Sequence, residues 1–326
     1  MKKLISAVAL AALSTSAYAN VLMPEISRDG KTRNTSVLAV SQEKRSFIAG
    51  QYISQSLETD TTPSFDLDIT FTNLFGAVST DTFSFEGSYA KNKMEAMGSE
   101  EDLAELNILM GFRTGGNLTL GLGLTVDELS DTIDDTVLEA GGTIVVNGTT
   151  LGASLAHHMV DAVLTEGDYT VLTLAFGKQD KSVSWETGIQ YTTKGNDAVL
   201  TDTRLGVFAN GTMVVNDVEL DGSLTYEYGD YLQNRPTDND YSELEISLDA
   251  EFLVGPTFYI TPGVYLLNTT LPKAADSDSS ILSVKSDFGY RANGLDTTFG
   301  LSYSTGEIQG IDADGVGFNL NVGYNF

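Results

Sequence analysis

Apolar and polar residues alternate one for one over stretch after stretch of this 326-residue chain. The clearest run is Phe65-Asp66-Leu67-Asp68-Ile69-Thr70-Phe71-Thr72. Close behind are Leu118, Leu120, Leu122, Leu124 and Val126, and then Leu244, Ile246, Leu248, Ala250 and Phe252. A period of two sets one row of side chains on an oily face of a β-strand and the other on a wet face. Sixteen segments carry it, approximately 46–57, 64–75, 81–91, 102–113, 117–127, 136–146, 149–158, 168–178, 181–193, 201–210, 213–228, 241–253, 256–267, 279–291, 295–306 and 315–326. Most run about 10 to 13 residues, against about 5–6 for a soluble strand and roughly 9–11 for a tilted strand that crosses a bilayer. Length argues for a membrane more than alternation does.

The expected fold is all-β, a transmembrane antiparallel up-and-down β-barrel of about 16 strands. Fourteen is the alternative, because segments six and seven are weak and Pro262 interrupts the thirteenth. Even-numbered segments end in tight, hairpin-like turns: Thr114-Gly115-Gly116, Asn147-Gly148, Gln179-Asp180, Asn210-Gly211, Gly255-Pro256 and Asn293-Gly294. Odd-numbered ones end in longer connections of about six to twelve residues. Short on one side and long on the other is the asymmetry of bacterial barrels, whose short turns face the periplasm. An even count leaves both termini there. The eight long connections hold 20 Asp or Glu and 4 Lys or Arg, whereas the short ones hold Asp180 alone.

The beginning of the chain reads as an export signal. Met1-Lys2-Lys3 is basic, Leu4 to Leu13 is largely apolar, and Ala17-Tyr18-Ala19 is a small-x-small cleavage site, so residues 1–19 are expected to be a signal peptide. No later run approaches the roughly 18 apolar residues of a membrane helix. Residues 46–326 form the expected barrel. Between them, residues 20–45 carry Arg28, Lys31, Arg33, Lys44 and Arg45, and are expected to be a basic periplasmic segment, a further short strand at Thr35–Val40, or a partial plug docked on an acidic wall.

Composition closes several routes. There are no cysteines, hence no disulfide or thiolate site, and only two histidines, His157 and His158, hence little material for a metal. No cofactor or metal is expected. A formal charge of −27 argues against nucleic acid, whose phosphates need a basic surface.

The last eleven residues, Val316-Gly317-Phe318-Asn319-Leu320-Asn321-Val322-Gly323-Tyr324-Asn325-Phe326, alternate strictly and end on an aromatic ring. This segment resembles the closing strand of a Gram-negative outer-membrane β-barrel. The resemblance implies that Tyr324 and Phe326 belong to the signal read by the barrel assembly machinery, and that the chain lies in the bacterial outer membrane among lipid and lipopolysaccharide. The wider likeness to bacterial porins rests on pattern and termini. It departs from general porins at the third long connection: Glu128 to Asp135 is acidic but too short to fold into a lumen, and trimerisation is not carried over.

If Leu, Ile, Val and Phe face lipid, the alternate positions face the lumen. They are rich in carboxylates: Asp66, Asp68, Glu86, Glu105, Glu186, Glu219, Asp221, Glu227, Glu243, Glu245, Asp249 and Glu251, with Glu139, Asp217 and Asp287 in addition. Only Arg113, Arg204, Lys285 and Arg291 stand against them. Unpaired buried carboxylates cost several kcal/mol each, so water is expected to reach this wall. A hairpin register summing to 470 would set Glu219 opposite Glu251, Asp221 opposite Asp249 and Glu227 opposite Glu243, a wall that attracts cations.

The expected function is passive diffusion of small hydrophilic solutes, with a preference for cations. The competing reading is a plugged, ligand-specific transporter, which Leu172, Phe176, Tyr259 and Tyr265 could serve with a greasy or stacking patch if they point inward, or a purely structural barrel. An enzyme is not expected, since no nucleophile context such as G-x-S-x-G surrounds His157-His158.

Overall fold

The structure, a computed structural model, describes residues 36–42, 44–59, 66–96, 99–130, 133–162, 167–180, 182–193, 203–230, 240–270, 278–308 and 311–326. The expected signal peptide and most of the basic segment, residues 20–35, lie outside the described residues. Sixteen strands follow in chain order: β1 (Phe47–Thr59), β2 (Asp66–Ser79), β3 (Phe83–Ala96), β4 (Ser99–Arg113), β5 (Leu118–Ser130), β6 (Ile133–Val146), β7 (Thr149–Ala162) and β8 (Gly167–Gln179). The second half holds β9 (Val183–Thr193), β10 (Arg204–Val215), β11 (Val218–Asp230), β12 (Asp240–Val254), β13 (Phe258–Thr270), β14 (Ser279–Ala292), β15 (Leu295–Ile308) and β16 (Ile311–Asn325). Every strand pairs antiparallel with its sequence neighbours, and β1 pairs with β16, so the sheet closes on itself without an edge. Closure lets every strand satisfy its backbone groups inside the sheet, which hydrocarbon surroundings demand.

The alternative of 14 strands falls away. β6 and β7 are full strands of 14 residues, joined by Asn147 and Gly148 at φ 52° and 78°. Two successive positive φ values make the primed turn that follows strand twist. Pro262 does not end β13 either. It sits on the outer face, and the β12–β13 ladder omits the pairs at Ala250 and Glu251 before resuming in the same register. A residue without an N–H interrupts a ladder locally without ending the strand.

One expected turn is displaced. Asn210-Gly211 lies inside β10, and the reversal falls at Asn216 (φ 57°) and Asp217. Asn210 is buried in the lumen, where its amide donates to Glu186 Oε1 at 2.9 Å, so its side chain is engaged by a neighbouring strand. The turn-prone Asn216-Asp217 pair was available six residues later.

Strands also reach further than their alternation suggested. Much of the acid assigned to long connections stands on strand ends, as with Glu95 on β3, Glu128 on β5, and Asp312 and Asp314 on β16.

The outer face carries an apolar belt. Leu74, Leu122, Leu155, Leu301 and Val316 are among its members, with Val316 63% exposed. A belt so exposed and continuous requires hydrocarbon around it. Near the short turns it is edged by aromatic pairs, Phe83–Phe112, Phe176–Trp185 and Phe258–Tyr290. Towards the long connections it is edged by Tyr89, Tyr191, Tyr228 and Tyr303. Such girdles sit at membrane–water interfaces.

Among the described residues before β1 there is one helix, α1 (Val37–Gln42), where a short strand was the alternative at Thr35–Val40. The Ser36 hydroxyl accepts the Leu38 N–H at 3.1 Å, an N-cap. The helix lies inside the barrel against β3, β4, β5, β6 and β7.

Candidate functional site

Inner and outer rows are separated by burial and register together. Ten of the twelve proposed wall acids lie on inner rows: Glu86, Glu105, Glu186, Glu219, Asp221, Glu227, Glu243, Glu245, Asp249 and Glu251. Asp66 and Asp68 do not. Both are exposed on the outer row of β2, opposite Glu58 and Ser56, while Leu67, Ile69 and Phe71 point inward and are buried. The assumption that apolar residues face lipid fails there because the lumen carries its own apolar crescent. Leu57, Leu67, Ile69, Met94, Leu103, Ile308 and Ala313 pack together inside the barrel near the long connections. Outside it, Lys91 pairs with Asp102 at 2.8 Å and Lys93 with Glu100 at 3.0 Å.

Among the described residues, three inward acids were missed. Asp127 and Asp135 face each other across β5 and β6, and Asp296 stands on β15. Extending the parity of Leu118 to Val126 by one residue would have found Asp127; Asp135 was hidden by its assignment to a connection. His158 points inward, with Nδ1 2.7 Å from Asp135 and its ring stacked on Tyr169 at 4.1 Å. His157 is exposed on the outer row beside Thr170 at 3.2 Å. Asp217 leaves the wall for a turn. Leu172 and Phe176 face outward, whereas Tyr259 and Tyr265 are buried inside.

The β11–β12 register is the expected one. Glu219 stands opposite Glu251, Asp221 opposite Asp249, and Glu227 opposite Glu243. Like charges across a ladder repel, and donors from neighbouring strands offset that repulsion. Arg291 on β14 grips Glu251 with both terminal nitrogens, at 3.1 and 3.0 Å, while its Nε donates to Asp296 at 2.7 Å. Tyr259 donates to Asp296 at 2.6 Å and lies under the Arg291 guanidinium, 4.4 Å from ring centre to carbon. Lys285 pairs with Asp249 at 3.0 Å. Arg204 pairs with Glu227 at 3.5 Å, and hydroxyls serve three others: Thr212 donates to Asp221 at 2.6 Å, Thr269 to Glu243 at 3.2 Å, and Tyr265 to Glu245. The wall is thus a hydrogen-bonded array with a few fixed cations, rather than a row of carboxylates answered by water alone. Among the described residues no group of three His, Cys, Asp or Glu side chains is placed to hold a metal ion.

No family model matches the sequence, and no curated protein matches it. Solved structures do. A structure described as a bacterial polysaccharide outer membrane secretin superposes with a TM-score of 0.52 at 10% identity, covering 85% of this chain and 98% of that one. A BenF-like porin from Pseudomonas fluorescens gives 0.52 at 11% identity, over 86% and 98%. The fold is that of a porin-like outer-membrane barrel. OmpT of Vibrio cholerae matches this barrel with a TM-score of 0.50 at 9% identity, over 88% of this chain and 100% of that one. At 9 to 11% identity the likeness is one of backbone fold rather than of shared side chains.

Proposed function

We propose that this barrel is an outer-membrane channel through which small hydrophilic solutes diffuse passively, with a preference for cations. The carrying observation is the β11–β12 wall, where three pairs of carboxylates stand in register on the lumenal side. A lumen lined by one sign of charge raises the local concentration of the opposite ion. In this reading the short turns and both termini are periplasmic, the long connections face outward, and the outer acids near them, Asp66 and Asp68, meet lipopolysaccharide through bridging cations. Planar-bilayer recording tests it: ohmic steps are expected, with a reversal potential on the cation side in a salt gradient. Anion-side reversal would remove the selectivity.

A second reading has its own observation. The buried apolar crescent around Leu67, Ile69 and Met94 gives the lumen a greasy sector, which suits a ligand-specific barrel for less polar solutes. Silent bilayers together with saturable uptake of such a solute in cells would favour it.

The closing strand supports delivery by the barrel assembly machinery. Tyr324 and Phe326 stack on the outer face with ring centres 6.5 Å apart, and Phe326, 70% exposed, is free to be bound. Deleting Phe326 removes a backbone bond to the barrel, its N–H to Ser46 O at 3.0 Å, outside the strand ladders. The deletion is therefore expected to slow membrane assembly in cells severalfold while leaving refolding in detergent almost unchanged. Equal loss in both assays would make Phe326 a stabilising residue rather than a signal.

A further inference from the structure

Helix α1 has no surface left to solvent from Val37 to Ser41, although it lies inside a barrel. Four glycines open the wall beneath it. Gly111, Gly121, Gly123 and Gly141 lie on inner rows of β4, β5 and β6, and a Cβ added to any of them would come within 3 Å of Ser41, Val37 or Leu38 atoms. Leu109, Ala175 and Phe208 complete the apolar contact. Polar ends fix the register of the helix in this seat. Ser41 Oγ lies 2.8 Å from Thr119 Oγ1, Gln42 donates to Thr119 at 3.2 Å and also to Thr143, and Ser84 donates to Val40 O. At the other end Glu139 accepts the Val37 N–H and a bond from Ser154.

Burial of the lumen wall is uneven. On the α1 side, Ser84, Glu86, Thr119, Thr143 and Ser154 are all buried. Across the lumen, Glu219, Glu251, Tyr259, Asp296 and Thr298 are buried near the short turns, while further along that wall Asp221, Asp249, Lys285, Asp287, Asn319 and Asn321 keep partial exposure.

We propose that α1 is a fixed constriction. Its glycine seat gives one side of the lumen over to the helix and confines permeation to an eccentric, polar passage along the Asp221, Asp249, Lys285, Asp287, Asn319 and Asn321 side. Residues of the seat would then set pore size, a task that general porins give to a long inward-folded connection. The inference rests on the channel reading for the word permeation, but the placement of the passage can be tested apart from it.

The chain has no cysteine, so single cysteines report access cleanly. In the folded, full-length barrel, Asn319→Cys should react with a charged, water-soluble methanethiosulfonate at least about tenfold faster than Thr143→Cys, because a buried site reacts only through local opening. The same modification should block most of the current through Asn319→Cys channels and none through Thr143→Cys. Adding Gly121→Leu to Thr143→Cys should unseat the helix, bring the cysteine up to the fast rate and raise conductance. The pair Ser41→Cys with Thr119→Cys should oxidise to a disulfide without changing conductance, since it locks a helix that is already seated. Fast labelling at 143 in the parent barrel, or a fall in conductance on locking, overturns the fixed constriction. Fast labelling at 319 without current in any variant sinks the channel reading and the permeation clause with it, while leaving the seat in place.

Discussion

Replacing Arg291 with Met should destabilise the barrel by about 3–5 kcal/mol, the usual cost of stranding a buried charge partner. Arg291 serves two carboxylates at once, Glu251 and Asp296, whose side chains are 6% and 1% exposed. It also covers the Tyr259 ring, which itself donates to Asp296. Removing the guanidinium leaves both acids desolvated and loosens the contact between β12, β14 and β15. The measurement is urea-induced unfolding of the refolded barrel, read by tryptophan fluorescence and gel mobility. Arg291→Lys should recover only part of the loss, because an ammonium cannot reproduce the fork on Glu251. Adding Glu251→Gln and Asp296→Asn to Arg291→Met should restore much of it. An unfolding midpoint unmoved by Arg291→Met would show that this node contributes nothing to stability.

The second large effect concerns selectivity. The double substitution Asp221→Asn with Glu243→Gln should lower the cation-to-anion permeability ratio by roughly tenfold at low salt. A unit charge about 4 Å from a passing monovalent ion is worth about 1 kcal/mol even at the dielectric of water, and it acts with opposite sign on the two ions. Both acids accept from threonine hydroxyls, Thr212 and Thr269, and an amide oxygen can accept the same bonds, so the wall should keep its geometry. The effect should shrink as salt approaches about 1 M, where the screening length is roughly 3 Å. Asp66→Asn with Asp68→Asn is the control. Those acids lie on the outer row, and their loss should leave reversal potentials unchanged. If the outer pair moved selectivity as much as the inner pair, the lumenal wall would not be its source.

Legibility differed from place to place along the chain. The three facing acid pairs of β11 and β12 were readable because a hairpin's register follows from one sum, and one face of each strand was unambiguously apolar. β2 was misread although its alternation was the clearest of all. Alternation names two faces without saying which is inside, and there the inner face is the apolar one. The turn at Asn216 lost to Asn210-Gly211 on local signal, because the burial of Asn210 against Glu186 depends on β9 lying beside it. The glycines of β4 to β6 read as ordinary small residues until a helix from a distant part of the chain was found lying on them.

The sequence by itself determined a closed sheet of about sixteen long strands, with fourteen left open, the grouping of short turns and long connections at opposite ends, and the facing acids of one hairpin. All of these follow from the two-residue period and from contacts between neighbouring strands. Tertiary structure alone decided which face of β2 is wet, which cations answer the acidic wall, and that α1 lies on the lumenal side of β3 to β7. Those depend on residues far apart in sequence meeting across a closed barrel: Arg291 with Glu251, Ser41 with Thr119, Leu67 among the members of one crescent. A strand's own pattern fixes what it can face, and only closure fixes what is there to be faced.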